Sequence, residues 1–168
     1  MRTEKEEDKP NDNALYPLHV FQFHVSFAEH PIGGGDAGAS VELCSGAFAE
    51  CTGLEATMEP KVIKAGGRNY GAAQRAGPVT FATVVLKRGM TKTRHLWRWF
   101  ELVAGGKYAY RLTAVVQMRD IADKPVVNWK LAHALPVKFK AADLNARGTE
   151  VGVEELHLAH EGLSLEPV

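Results

Sequence analysis

The sequence predicts a mainly antiparallel β-domain with one packed α-helix. Short runs in which apolar and polar residues alternate recur along the chain, and glycine or proline separates many of them. Only residues 92–103 repeat large apolar side chains at helical spacing. The 168 residues suit one domain, and a hydrophobic fraction of 45% supplies a core of ordinary size.

The N-terminal part divides into a tail, a strand and a loop. Residues 1–13 are mostly polar, and we expect disorder there because they cannot bury enough apolar surface to offset chain entropy. The domain is expected to span residues 14–168. Its first strand is predicted where phenylalanine and valine alternate with polar residues at 21–27. A glycine-rich insertion, residues 31–40, should form a loop.

The middle of the chain mixes extended segments with glycine. Residues 41–63 have an extended pattern interrupted by glycine and proline, which is typical of two strands with a bend. Residues 65–78 contain four glycines and a proline and predict a second long loop, a feature that is often functional in a compact domain. Residues 79–86 are rich in valine, threonine and phenylalanine and predict a strand.

The helix is predicted over residues 92–103. Thr91 is the expected N-cap, and the glycine pair at 105–106 should end the helix. Its large apolar residues are expected to anchor it structurally: Leu96, Trp97, Trp99 and Phe100.

The C-terminal part predicts a hairpin and a final strand. The hairpin joins strands at 110–118 and 127–131 through a turn at 120–125. The final strand is expected at 150–160. Its apolar phase changes across the two glutamates at 154–155, and such a change predicts a β-bulge.

Charge and hydropathy limit the functional classes. Twenty basic and 20 acidic residues give a formal net charge of zero, so overall charge does not favour nucleic acid or an acidic membrane. Lys87 and Arg88 should meet acidic neighbours or solvent rather than phosphate, because no aromatic residues interleave with them. No apolar run approaches the ~20 residues that span a bilayer. Without a secretory signal, a cytoplasmic protein that does not insert into membranes is expected.

No motif indicates catalysis or metal binding. Cys44 and Cys51 lack the spacing of a zinc site, and Cys51 should be an inert thiol in a strand. His157 and His160 are three residues apart, which places them on opposite faces of a strand. Ser45 lacks the flanking glycines of a nucleophile elbow. We therefore expect no enzyme, no metal site and no cofactor.

Several short segments resemble, in order and spacing, one known family. They are FAECTGLE at 48–55, GGRN at 66–69, LKRGMT at 86–91, LWRWF at 96–100, LPVK at 135–138, LNA at 144–146 and VEELHLAHE at 153–161. The chain resembles, over about residues 16–165, the tube proteins of contractile phage tails and related contractile injection systems, of the T4-like tail tube and Hcp-like type.

The resemblance implies an antiparallel β-sandwich or small barrel of the tail-tube type, with the helix packed on its side. It implies a structural subunit that assembles into stacked hexameric rings, forming a hollow inner tube propelled by sheath contraction. The implied partners are other copies, a sheath protein and baseplate or spike proteins, with lumenal cargo as a further candidate. The particle would assemble in the cytoplasm. The expected subunit interface residues are Gly66, Gly67, Arg68, Asn69, Tyr70, Lys87, Arg88, Asp143, Asn145 and Arg147.

Two alternatives remain open. The first is a tube-initiator or spike-adaptor ring of the same fold at the baseplate, which the charged N-terminal extension or the glycine-rich insertion would mark. The second is a monomeric ligand- or metal-binding β-barrel.

Overall fold

The computed structural model describes residues 18–19, 22–29, 40–41, 48–64, 66–67 and 70–168. The predictions for the N-terminal tail, for nearly all of the glycine-rich insertion, and for Cys44, Ser45, Arg68 and Asn69 lie outside these residues.

The described residues form twelve strands and one helix, and every strand pairing between them is antiparallel. The prediction of a mainly antiparallel β-domain with one helix is confirmed. In chain order the elements are β1 (Phe23–Glu29), β2 (Ser40–Val41), β3 (Glu50–Thr52), β4 (Ala56–Met58), β5 (Lys61–Ile63), β6 (Ala73–Arg75), β7 (Val79–Phe81), β8 (Val84–Gly89), α1 (His95–Ala104), β9 (Leu112–Arg119), β10 (Pro125–Lys140), β11 (Val153–Ala159) and β12 (Gly162–Glu166).

The long strand β10 belongs to two sheets. The first part of β10 pairs with β9 on one side and with β12 on the other. Beyond β9 the sheet continues to β1 and then to β2. The last part of β10 pairs with β11, followed by β8 and β3. Register shifts between Leu131 and Ala134 and between Pro136 and Lys138 mark the passage from one sheet to the other, and His133 there has φ of 50°. The hairpin predicted between β9 and β10 is confirmed.

The core is formed by alternate residues of both sheets and by one face of α1. The ring of Trp99 meets the ring of Phe27 edge-on, with 5.7 Å between centroids. The side chains buried together are Val25, Phe27, Phe48, Val84, Leu86, Leu96, Trp99, Val103, Leu112, Ala114, Val116, Leu131, Leu156 and Leu158.

The helix begins later than predicted. It runs from His95, with Arg94 at the N-cap and no side-chain cap. The prediction of Thr91 as N-cap was wrong, because its hydroxyl bonds to the Thr93 carbonyl oxygen at 3.2 Å and so serves the preceding turn. The C-terminal end is as predicted: the Gly105 amide donates to the Glu101 carbonyl at 2.8 Å.

The predicted bulge in the final strand was wrong. β11 pairs with β8 in continuous register, from Val153 opposite Gly89 to Leu158 opposite Val84. The apolar phase changes because Glu154 takes an inward position and is buried there. The predicted final strand, β11, starts later than expected, at Val153. A further strand, β12, was not predicted; it follows β11 in the chain and pairs with β10.

The predicted loop at residues 65–78 is part of a β-arm. β4 pairs with β7 and β5 with β6, so residues 56–81 form a two-stranded arm that joins neither main sheet in the described structure. Residues 41–63 were expected to form two strands. They contain three short strands, β3, β4 and β5, together with Val41, the second residue of β2. At the base of the arm Gly53 has φ of 87°, and a Cβ atom there would collide with the Thr83 carbonyl oxygen.

We expect Trp99→Ala to lower the free energy of unfolding by about 3–5 kcal/mol, since it empties a buried site. Trp97→Ala is the matched control and should cost at most about half as much, because Trp97 is 42% exposed. Urea unfolding followed by far-UV circular dichroism measures both. Equal losses would contradict the assignment of Trp99 to the core.

Candidate assembly surfaces

A buried ion pair links β8 to β11. Arg88 Nε donates to Glu154 Oε1 at 2.6 Å, and the two side chains are 3% and 9% exposed. The Arg88 guanidinium also lies 6.0 Å from the centroid of the Phe48 ring. Arg88 was expected at a subunit interface, but its side chain lies inside the subunit and is not available for a contact with a neighbouring copy.

The opposite face of the same sheet carries a charge row, which we define as Glu50, Lys87, Glu155 and Lys140. Backbone register places these residues opposite one another in turn across β3, β8, β11 and β10. Lys87 Nζ lies 3.0 Å from Glu50 Oε1, and Lys140 Nζ lies 3.9 Å from Glu155 Oε1. The hydrogen bond to Glu50 raises the pKa of Lys87. Charges of alternating sign across neighbouring strands are mutually favourable.

The chain between β10 and β11 forms a groove beside this charge row. We call it the terminal groove; it has a volume of about 700 Å³ and is lined by residues 142–145 and 147–153 with Met90, Lys140 and Glu155. Asp143 is fully exposed on it, with its Oδ2 atom 4.0 Å from Lys140 Nζ. The Asn145 side-chain oxygen accepts the Arg147 amide at 3.0 Å, so Asn145 shapes the turn. The predicted residues Asp143, Asn145 and Arg147 are thus brought together here.

The arm presents uncovered apolar side chains. Gly66 and Gly67 form its turn, with Gly67 at φ of 83°, and Tyr70 is 97% exposed. Several large apolar side chains left exposed on one extension are typical of a surface that another protein covers. The large apolar residues exposed on the arm are Met58, Val62, Ile63, Tyr70 and Val79.

The predicted helix anchor divides into core and surface. Leu96 and Trp99 are fully buried, and Phe100 is half-buried. Trp97 lies at the surface, 5.7 Å from the Phe100 ring and 5.4 Å from the Phe139 ring by centroids. Two of the four predicted residues, Leu96 and Trp99, therefore anchor the helix in the core, and Trp97 packs on the surface against Phe100 and Phe139.

Sequence reasoning missed three of the charged residues that matter most for these surfaces. Glu154 entered the sequence analysis only as part of a predicted bulge, whereas it is the buried partner of Arg88. Lys61 and Arg75 were not singled out, yet β5 and β6 bring them directly opposite each other. Neither contact follows from local patterning, because the partners are far apart in the chain.

The described residues include no group of three or more histidine, cysteine or acidic side chains that could hold a metal ion. Burial raises the pKa of the Cys51 thiol to about 11, which keeps it protonated near neutral pH. None of the helical segments in the described ranges is long and apolar enough to cross a membrane.

Residues 19–164 match the family of the T4-like virus tail tube protein gp19. The chain belongs to this family. A tail-tube protein has a structural role, and a mainly antiparallel β fold with a single helix is consistent with this family. The sequence has no match among curated proteins.

Solved structures with the same fold come from contractile particles. A chain of the baseplate of the anti-feeding prophage is 25% identical, with a TM-score of 0.73, covering 90% of this chain and 96% of that one. A chain of the extended PVC sheath–tube complex, an extracellular contractile injection system, is 14% identical, with a TM-score of 0.68 and coverage of 95% and 100%. A chain of the tube-terminating cap of the anti-feeding prophage is 14% identical, with a TM-score of 0.71 and coverage of 99% and 100%. The tail-tube fold is thereby confirmed.

We expect Arg88→Met to lower the free energy of unfolding by about 3–5 kcal/mol, because the Glu154 carboxylate is then buried without a partner. The double variant Arg88→Met with Glu154→Leu should unfold within about 1 kcal/mol of the unaltered protein, since both charges are gone. Guanidinium unfolding measures both. A double variant as unstable as the single one would show that the pair has another role.

We expect Cys51 to react slowly with iodoacetamide in the folded protein, because the raised pKa leaves little thiolate. A Cys44→Ser variant isolates its reaction. At pH 8 the folded variant should be alkylated about 100-fold more slowly than the same variant in denaturant, as a shift of about two pKa units implies. Mass spectrometry follows the reaction, and similar rates in both states would contradict the burial of the thiol.

Proposed function

We propose that this protein is a subunit of the inner tube of a contractile injection particle. Copies close into hexameric rings, the rings stack into a hollow tube, and contraction of a surrounding sheath drives the tube forward. Its role is assembly, with no catalytic step. Family membership supports the role in a tube. The exposed apolar side chains of the arm are the observation that most directly supports assembly with other copies.

The arm is poorly suited to an isolated subunit. Val62 and Ile63 are 58% and 47% exposed, and their strand, β5, pairs only with β6 among the described strands. Apolar side chains on such an extension gain stability only when another surface covers them. A neighbouring copy supplies that surface in every subunit of a ring or stack.

The sheet edges support ring closure. In the described structure β3 and β12 each pair on one side only, so each leaves backbone donors and acceptors free along its other edge. Joining such edges between copies removes a surface that otherwise promotes aggregation. A head-to-tail contact of this kind gives a closed ring when its rotation completes a circle.

The partners follow from the proposed role. They are other copies of this chain, a sheath protein outside the tube, and baseplate or spike proteins at its end; lumenal cargo is a further candidate. Structurally similar chains occur in a sheath–tube complex and in a baseplate, which supports both kinds of partner. We propose that the particle assembles in the cytoplasm and is later released from the cell.

A second candidate is a ring at the baseplate that initiates the tube. The similar chain at 25% identity belongs to a baseplate structure, and this observation favours the candidate. Such a protein would form one ring without stacking further.

Purified full-length protein should form stacked rings or long tubes at high concentration. Negative-stain electron microscopy and sedimentation velocity over a concentration series measure this. Solitary rings would favour the baseplate candidate, and a monomer throughout the series would contradict both.

The double variant Val62→Ser with Ile63→Ser should raise the concentration needed for assembly at least about tenfold, because it removes apolar surface from the contact. Its thermal unfolding should be unchanged, since both side chains are exposed in the subunit. Ile121→Ser is the matched control: it removes an apolar side chain that is 78% exposed in the β9–β10 turn. Equal effects of both changes on assembly would argue against the arm as the contact.

A further inference from the structure

The outer half of the arm, residues 61–75, carries charge of one sign. Its sequence contains four basic residues and no acidic one. Lys61 and Arg75 are exposed and lie directly opposite each other in the register of β5 and β6. Like charges that face each other across two strands destabilise the pairing. An acidic surface placed against the arm would relieve this repulsion.

Apolar residues share that face of the arm. Side chains alternate along a strand, so Ile63 points to the same side as Lys61, and its register partner Ala73 to the same side as Arg75. The face therefore combines a cationic pair with an apolar patch. A nucleic acid would attract the cations but would gain little from Ile63, which is 47% exposed. A protein surface with both acidic and apolar residues fits better.

The terminal groove has that composition. Three carboxylates line it, those of Asp143, Glu150 and Glu155. Lys140 is shared between two of them, at 4.0 Å from Asp143 and 3.9 Å from Glu155. Glu150 has no ion-pair partner in the described part of the chain.

The groove also offers apolar contacts. Leu144 is 92% exposed and Val151 is 78% exposed, and both line it. Arg147 lines it too, without an ion pair to any described carboxylate. A cationic ligand with an apolar side chain beside its charge would satisfy Glu150 and cover Leu144 and Val151 in one contact.

We propose that the outer half of the arm of one copy docks into the terminal groove of a second copy. Lys61 and Arg75 then face Asp143 and Glu150, and Ile63 covers the exposed apolar residues of the groove. This inference rests on the proposed assembly function and names the two surfaces that meet in it. Each subunit carries one arm and one groove, so the contact repeats from copy to copy without self-pairing.

Charge reversal on either side tests the contact. Lys61→Glu with Arg75→Glu reverses the arm, and Asp143→Lys with Glu150→Lys reverses the groove. Each double variant should raise the concentration needed for assembly at least about tenfold, since like charges then meet across the contact. All four residues are exposed, so thermal unfolding of the subunit should not change.

Restoration is the decisive measurement. A chain carrying all four changes has an acidic pair at positions 61 and 75 of the arm and a basic groove, and its assembly should return to within about threefold of the unaltered protein. An equimolar mixture of the two double variants should also assemble, with arms and grooves of opposite charge alternating. The controls are Lys124→Glu in the β9–β10 turn and Glu101→Lys on α1; both residues are exposed, and neither change should affect assembly.

The results separate two failures. If the unaltered protein does not assemble, the proposed function itself is wrong. If it assembles but the fourfold variant stays as impaired as the worse double variant, the docking of arm into groove is wrong while the tube role stands. If the arm reversal leaves assembly intact and abolishes binding to a double-stranded oligonucleotide, the arm is a nucleic-acid surface and the inference is overturned.

Discussion

The pairing of β8 with β11 is the constraint on which the described surfaces depend, and the buried contact between Arg88 and Glu154 fixes it. Removing two charges from water is costly, and the contact of Arg88 Nε with Glu154 Oε1 at 2.6 Å offsets part of that cost, although Arg88 Nη2 is buried without a hydrogen-bond partner among the described residues. A slip of one residue would turn both charges away from each other and bring Lys87 or Glu155 inward. One register therefore sets both the interior pair and the outer charge row.

Patterning predicted the parts of the fold whose residues bury one face. β1, β8, β9 and the first half of β10 alternate visibly, and α1 repeats its apolar residues at helical spacing. β6 and β12 were not predicted, because strands of three and five residues are too short for alternation to stand out from their surroundings. The start of α1 was placed too early because a threonine hydroxyl can serve a turn as readily as a helix.

The candidate surfaces were predictable only in part. The groove segment and the arm could be located as loops that are polar or rich in glycine, but their composition does not say which charges meet. Arg88 looked like a surface residue because its partner, Glu154, lies 66 positions away in the sequence. The cationic pair of the arm likewise appears only once β5 and β6 are aligned. Long-range register, rather than local propensity, decides these contacts.

Gly53 lies at the base of the arm, so a small rotation of the backbone there moves the end of the arm by a larger distance. The arm extends roughly 25 Å from its base at ~3.3 Å per residue, so a tilt of about 5° at the base would move its end by about 2 Å. Such a displacement is enough to separate a charged pair. The glycine lies against the Thr83 carbonyl where no side chain fits, and this close backbone packing limits the tilt. Angular precision at one residue thereby becomes positional precision at the distant end of the arm.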